Sequence, residues 1–483
     1  TDLYGQTIIQ GGRITTSGEQ HYRDLLTLKA DTLLAGASLI FDNAVVSDSA
    51  SVRNLTVNST VGDATFNSRV GDLATPIGIF KVTSAQRAVF NGTVIVGHFE
   101  TGATGTTYFN IPLVTTTSSS SMVFGNDVVV STPSFTFDST NGGVLATGAN
   151  ITFNKGLTSA VAGASSVNIQ AGSLGIAKLL GTVGKDSNGV ISPLDTLTVS
   201  AGGGIVIGGY IQTTGTQTYN NPVTLATSST LIASDFNWGS VTATAPNVGL
   251  SIVNQGTQPL IAISITGDLS VTTGGAGLLG GVTQVSGVAL NIGGATTFTA
   301  DTTVGQVAAL TSAANHFGGA LSFRTTRGGT WSSVSVVSQS ALQMGLTEVT
   351  GNLALSVTSG DITQVGPLHV LGTTTIVATT GSVLLDDADN NFGERVSVDT
   401  PQDLKLTSSG ALSMGVVRVG KTTDLESQGI VDMGTSSVYT GKLKVNSGGF
   451  EIMQSGPLKS GGNEEFDAGT AKIDLFNPGN LWL

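Results

Sequence analysis

The chain has 483 residues, no Cys, and a charged content of 11%, less than half the roughly 25% of ordinary soluble domains. A net charge of −12 with only 20 Lys and Arg excludes the basic footprint that nucleic acid requires, and the absence of Cys excludes disulfides and thiolate metal centres. No apolar run approaches the ~18 residues of a helical membrane span, so neither nucleic acid nor membrane insertion is expected.

The first predicted element is a motif, Gly12-Arg-Ile-Thr-Thr-Ser-Gly-Glu-Gln-His-Tyr22, followed by Leu26-Thr-Leu28. It returns as Gly209-Tyr-Ile-Gln-Thr-Thr-Gly-Thr-Gln-Thr-Tyr219 before Val223-Thr-Leu225. With a one-residue gap, Gly105-Thr-Thr-Tyr108 aligns as a third copy, so Tyr22, Tyr108 and Tyr219 are expected to pack alike. Such self-similarity means that one structural unit is reused.

Between these copies runs short alternation. Leu55-Thr-Val57, Phe80-Lys-Val82, Val167-Asn-Ile169 and Leu197-Thr-Val199 place apolar side chains two apart. Leu269-Ser-Val271, Leu290-Asn-Ile292, Leu368-His-Val370 and Leu443-Lys-Val445 continue the pattern. Period two sends the apolar residues to one face and the polar ones to the other. Phe41-Asp42, Phe66-Asn67, Phe90-Asn91, Phe137-Asp138 and Phe153-Asn154 start turns in the first half. In the second half Val282-Thr-Gln284, Ile362-Thr-Gln364 and Ile452-Met-Gln454 form a new family, and Asn315-His-Phe317 repeats as Asn390-Asn-Phe392. No stretch sustains a helical period. The expectation is an all-β chain of short strands wound as a parallel β-helix, a β-solenoid, with an antiparallel barrel as the competing fold. Coils of about 20–25 residues stacked at ~4.8 Å give roughly 20 coils and a rod of ~100 Å. Residues 1–250 carry the first repeat type and 251–483 the second, within one continuous rod read as a segment of a larger protein.

Three units carry a family resemblance: Thr-Gly-x-Gln-x-Tyr-Asn-x-x-Val-Thr-Leu at 214–225, Ser-Pro-Leu-x-x-Leu-Thr-Val at 192–199, and Ile-Thr-Gln-x-Gly-Pro-Leu-x-Val-x-Gly-Thr-Thr at 362–374. They resemble the units of filamentous-haemagglutinin-like giant surface proteins of Gram-negative bacteria. The resemblance implies a right-handed β-helix, export to the bacterial cell surface, and a role in adhesion or aggregation. Expected partners are other copies of the chain or its own continuation, and surface glycans or a partner cell.

Individual residues offer less. His21, His98, His316 and His369 have no metal-ligand partner at useful spacing, and His369, between Leu368 and Val370, should face solvent. Asp386, Asp387 and Asp389 are a candidate Ca²⁺ site, because Asp387 and Asp389 stand two apart with hard oxygen donors; the same run also reads as a plain turn. No other cofactor is expected. The end Leu481, Trp482 and Leu483 is apolar and is a candidate assembly contact, since a bare solenoid end exposes strand groups and core. The expected function is a non-enzymatic extracellular structural or adhesive rod. The alternative is a carbohydrate-active β-helix enzyme, which would need two carboxylates facing each other across a groove.

Overall fold

Every short alternating run becomes a strand that hands over to the next through a bend, and its partners lie one coil away rather than in a hairpin. The computed structural model describes residues 5–275 and 278–483. Among these there is no helix, and the strands pair in parallel, in register. The fold is a parallel β-solenoid of about 23 turns, and the antiparallel barrel is set aside by the parallel pairing. Strand contacts divide the chain into two units, Thr1–Ala243 and Thr244–Leu483.

In the first unit each coil crosses three sheets, and each sheet stacks its inward residues into a column. One column runs Leu34, Val57, Val82, Thr101, Phe124, Phe153, Leu179, Ile207 and Leu225. A second is aromatic. Tyr22, Phe41, Phe66, Phe90 and Phe109 stand in register on successive strands, with ring centroids 5.2, 4.6, 4.9 and 5.1 Å apart. That spacing is the strand spacing itself, so stacking and backbone pairing reinforce each other, each ring contact adding about 0.5–1.5 kcal/mol beyond burial.

The repeated Gln–Tyr motif is a corner plug. Gln20 donates to Ala35 O at 2.7 Å and accepts from the Tyr22 hydroxyl at 2.7 Å. Gln217 donates to Ile232 O at 2.9 Å and accepts from Tyr219 at 2.9 Å. Both amides satisfy backbone groups that a bend would otherwise leave unpaired. The two plugs occupy different corners: Tyr22 lies in the phenylalanine column, whereas Tyr219 pairs with Val199 and Trp238. In the third copy the expectation for Tyr108 is corrected. Thr107 and Phe109 are buried while Tyr108 faces outward. A gapped alignment of a period-two strand slips by one residue and exchanges the faces. Thr107 and Thr101 donate instead to Asn126, at 3.1 and 2.8 Å.

The second unit has columns of Leu, Val and Ile, such as Leu385, Leu406, Leu425, Val445 and Phe466. It closes its turns with paired amides. Gln364 Nε2 donates to Asn390 Oδ1 at 2.9 Å, and Asn390 Nδ2 returns the bond to Gln364 Oε1 at 3.0 Å. Asn390 Oδ1 also accepts from Leu368 N at 2.8 Å, and its Nδ2 donates to Leu385 O at 3.2 Å. The same four bonds recur for Gln284 with Asn315 and for Gln454 with Asn480.

Candidate functional site

Alternation that fills the interior also dictates the walls, because every outward residue stands beside its counterpart on the next coil. His21, Asp42, Asn67, Asn91 and Asn110 form such a ladder, at 2.7, 3.1, 2.9 and 2.7 Å. Asp42, Asn67, Asn91 and Asn110 each follow a stacked phenylalanine, while His21 precedes Tyr22, so the recurrent Phe-Asn pair is one inward ring and one outward amide rung. In the second unit Lys405 bonds Asp386 at 3.0 Å, Lys444 lies 3.5 Å from Asp424 and 3.6 Å from Glu426, and Lys442 lies 3.5 Å from Glu465. Their side chains are largely solvated, so such pairs contribute little stability.

The candidate calcium residues lie in a turn. Asp387 Oδ1 accepts from Asp389 N at 3.0 Å, Asp389 O meets the His369 ring at 3.2 Å, and Asp386 is engaged by Lys405. The turn delivers Asn390 to the buried amide pair. His369 is exposed, as alternation requires. Among the described residues no group of three or more His, Asp or Glu is placed to hold a metal.

Leu481–Trp482 is a strand paired with Lys459 and Ser460. Trp482 follows Asn480 as Phe317 follows Asn315 and Phe392 follows Asn390. Phe317 and Phe392 are 4% and 3% exposed, Trp482 46%; the indole meets Phe466 edge-on at 6.4 Å. Trp482 is thus the third member of a core position, with Leu481 at the outward one. Leu483 is exposed.

Grooves form where a strand bends over a corner. One of about 550 Å³ is lined by Val377, Thr379, Asp399, Pro401, Arg418 and Thr440, with Arg418 3.9 Å from Asp399. A smaller one near Asp48 is about 200 Å³. Each holds a single carboxylate in its lining, so neither presents the facing pair of a glycosidase.

Two adjoining grooves of about 520 and 540 Å³ share Ile79, His98 and Ser120. The strand Val94–Thr101 bends there: Val96 and Phe99 point inward while Gly97 and His98 both face out. Gly97 sits close over the coil below, where a Cβ would come 2.8 Å from Gly78 O. Ile79 pairs with His98 and Lys81 with Glu100, and Ser121 stands on the next coil. Lys81 Nζ is 2.6 Å from Glu100 Oε1, Glu100 Oε2 is 3.6 Å from His98 Nε2, and His98 Nδ1 is 3.4 Å from Ser121 Oγ. Burial pushes the Glu100 carboxyl up, but the hydrogen bond and charge of Lys81, with help from His98, more than offset this and hold it below its ordinary range. Sequence reasoning missed this cluster. His98-Phe-Glu100 was a readable signal, since i and i+2 share a face of a strand, but Lys81 and Ser121 join only through coil length.

Three stretches, 245–324, 332–399 and 420–482, match a family model described as repeats of unknown function (DUF5649). Each stretch contains one complete amide pair: Gln284–Asn315, Gln364–Asn390 and Gln454–Asn480. No curated protein and no solved structure matches the chain. Fold and match together define a repeat protein of β-solenoid architecture. No helix among the described residues is long and apolar enough to cross a membrane.

Proposed function

We propose that the chain is a structural and adhesive element of an extracellular surface, built to hold shape. One observation carries the reading: within each unit, inward columns and outward ladders run in register from coil to coil, so successive coils are joined by backbone, ring and amide contacts at once. A solenoid of this kind distributes load over every strand pair. Its outward rungs of Asn, Ser and Thr repeat, which suits weak contacts multiplied along a wall. The resemblance to filamentous-haemagglutinin-like surface proteins supports export to a bacterial surface, with glycans or a partner cell as the ligand and other copies of the chain as neighbours.

The test is binding of the purified protein to a glycan array, as free chain and as chain crowded on beads. Weak binding of the free chain that strengthens roughly 10²–10⁴-fold on crowding is expected for a multivalent wall. No binding in either format would remove the adhesive half of the reading, and mechanical unfolding at low force would remove the structural half.

A further inference from the structure

The cluster at the bend of Val94–Thr101 has parts that a purely structural wall does not require. The other histidines give the baseline. His21 bonds Asp42 at 2.7 Å and His316 bonds Ser340 at 2.7 Å, so a contact between a histidine and the next coil is ordinary in this fold. His98 differs in two ways. It has a hydroxyl on one ring nitrogen and a carboxylate facing the other, and it lines two adjoining grooves, both with Ser120 and the second with Ser121. The walls around it are apolar on one side, with exposed Val52, Leu73 and Ile79 beside Pro76. On the other side lies Asn150, whose Oδ1 accepts from Ile176 N at 2.9 Å, so that Nδ2 is the donor end of this lining amide.

We propose that Ser121, His98 and Glu100 form a nucleophilic hydrolytic site for esters of small apolar acids. In the first step Ser121 Oγ attacks the ester carbonyl carbon while its proton passes to His98 Nδ1. Asn150, on the lining of the same groove, is the side chain whose amide can donate to the tetrahedral oxyanion, the kind of contact that stabilises acyl transfer. Collapse breaks the bond to the alkoxy oxygen, which leaves with the proton from His98 as an alcohol. Water then attacks the acyl-serine with His98 as base, releasing the carboxylic acid and restoring the Ser121 hydroxyl. Glu100 is a positioning residue: it faces His98 Nε2, favours the tautomer with Nδ1 free to accept, and is itself anchored by Lys81. The spans of 3.4 and 3.6 Å are longer than working hydrogen bonds, and both must shorten for the proton to pass.

The experiment is labelling of the native full chain with a fluorophosphonate, read by intact mass and peptide mapping, alongside hydrolysis of p-nitrophenyl acetate and butyrate. One adduct on Ser121 is expected, abolished in Ser121→Ala, slowed about 10²-fold or more in His98→Gln, and unchanged in Ser340→Ala. Glu100→Gln is expected to lower kcat with KM little changed, with Glu100→Asp restoring kcat; a merely structural carboxylate would show no such split between kcat and KM. The proposal is overturned if native protein takes no label, or if label spreads over Ser118–Ser121 at a rate that His98→Gln does not change.

Discussion

The two units close the same kind of coil with different chemistry. In the first, rings stack from Tyr22 to Phe109 and the corner is plugged within one motif, Gln20 with Tyr22 or Gln217 with Tyr219. In the second, the plug reaches between strands 26 residues apart, as in Gln364–Asn390 and Gln454–Asn480. A ring column is tolerant, because a smaller apolar side chain leaves only a gap. An amide pair is intolerant, because losing one member orphans polar groups on the other and on two backbones. Unequal responses to similar substitutions therefore separate the units.

The largest effect is expected for Asn390→Leu. It removes the Asn390 partner of Gln364 Oε1, Leu368 N and Leu385 O, while Gln364 Nε2 keeps Gly366 O, and at about 1–3 kcal/mol per buried orphan the local stability should fall by about 3–5 kcal/mol. Native-state hydrogen exchange at residues 362–392 reads this directly, and it suits a repeat array in which global unfolding is not two-state. If Asn390→Leu proves as mild as a ring substitution, the distinction between the units fails. Phe66→Leu in the ring column should cost about 1–1.5 kcal/mol, read the same way at its neighbours Phe41 and Phe90. Thr374→Val should have the opposite sign. The Thr374 hydroxyl is buried without a hydrogen-bond partner among the described residues, so the isosteric valine is expected to stabilise by about 1 kcal/mol.

Alkaline pH should act on the first unit through Tyr22, whose phenol is pushed up to about 12 by burial; burial also raises Tyr219. The folded state holds those protons more tightly than the unfolded chain does. The stability this confers is therefore complete below about pH 10, the ordinary tyrosine value, and is lost as pH rises toward 12. Melts across that window should be steeper for the native chain than for Tyr22→Phe. The smallest effect belongs to the walls. Lys405→Ala breaks the solvated contact with Asp386 and should cost at most about 0.5 kcal/mol, measurable as a loss of salt sensitivity.

Most of the architecture was legible from alternation. Leu443-Lys-Val445 and Phe80-Lys-Val82 reveal their inward and outward faces because a strand has a period of two. The two halves of the amide pair were visible as Ile-Thr-Gln364 and Asn390-Asn-Phe392, but their union was not. It depends on how many residues each coil consumes, and turns of variable length hide that count. The same holds for Ser121 against His98, 23 residues apart. Tyr108 shows the complementary failure: one assumed gap was enough to turn a residue inside out. Trp482 was read as a terminal feature because its kinship with Phe317 and Phe392 is a matter of register with Asn480, not of residue type.

The Gln–Tyr plug fits between different pairs of sheets in the first unit, with Tyr22 in one column and Tyr219 in another. A segment that carries its own corner does not need to know which side of the coil it will occupy. The natural unit of duplication is then one side and its bend, shorter than a whole coil. A chain of this type could gain or lose a third of a turn and still arrive at each bend with the plug that closes it.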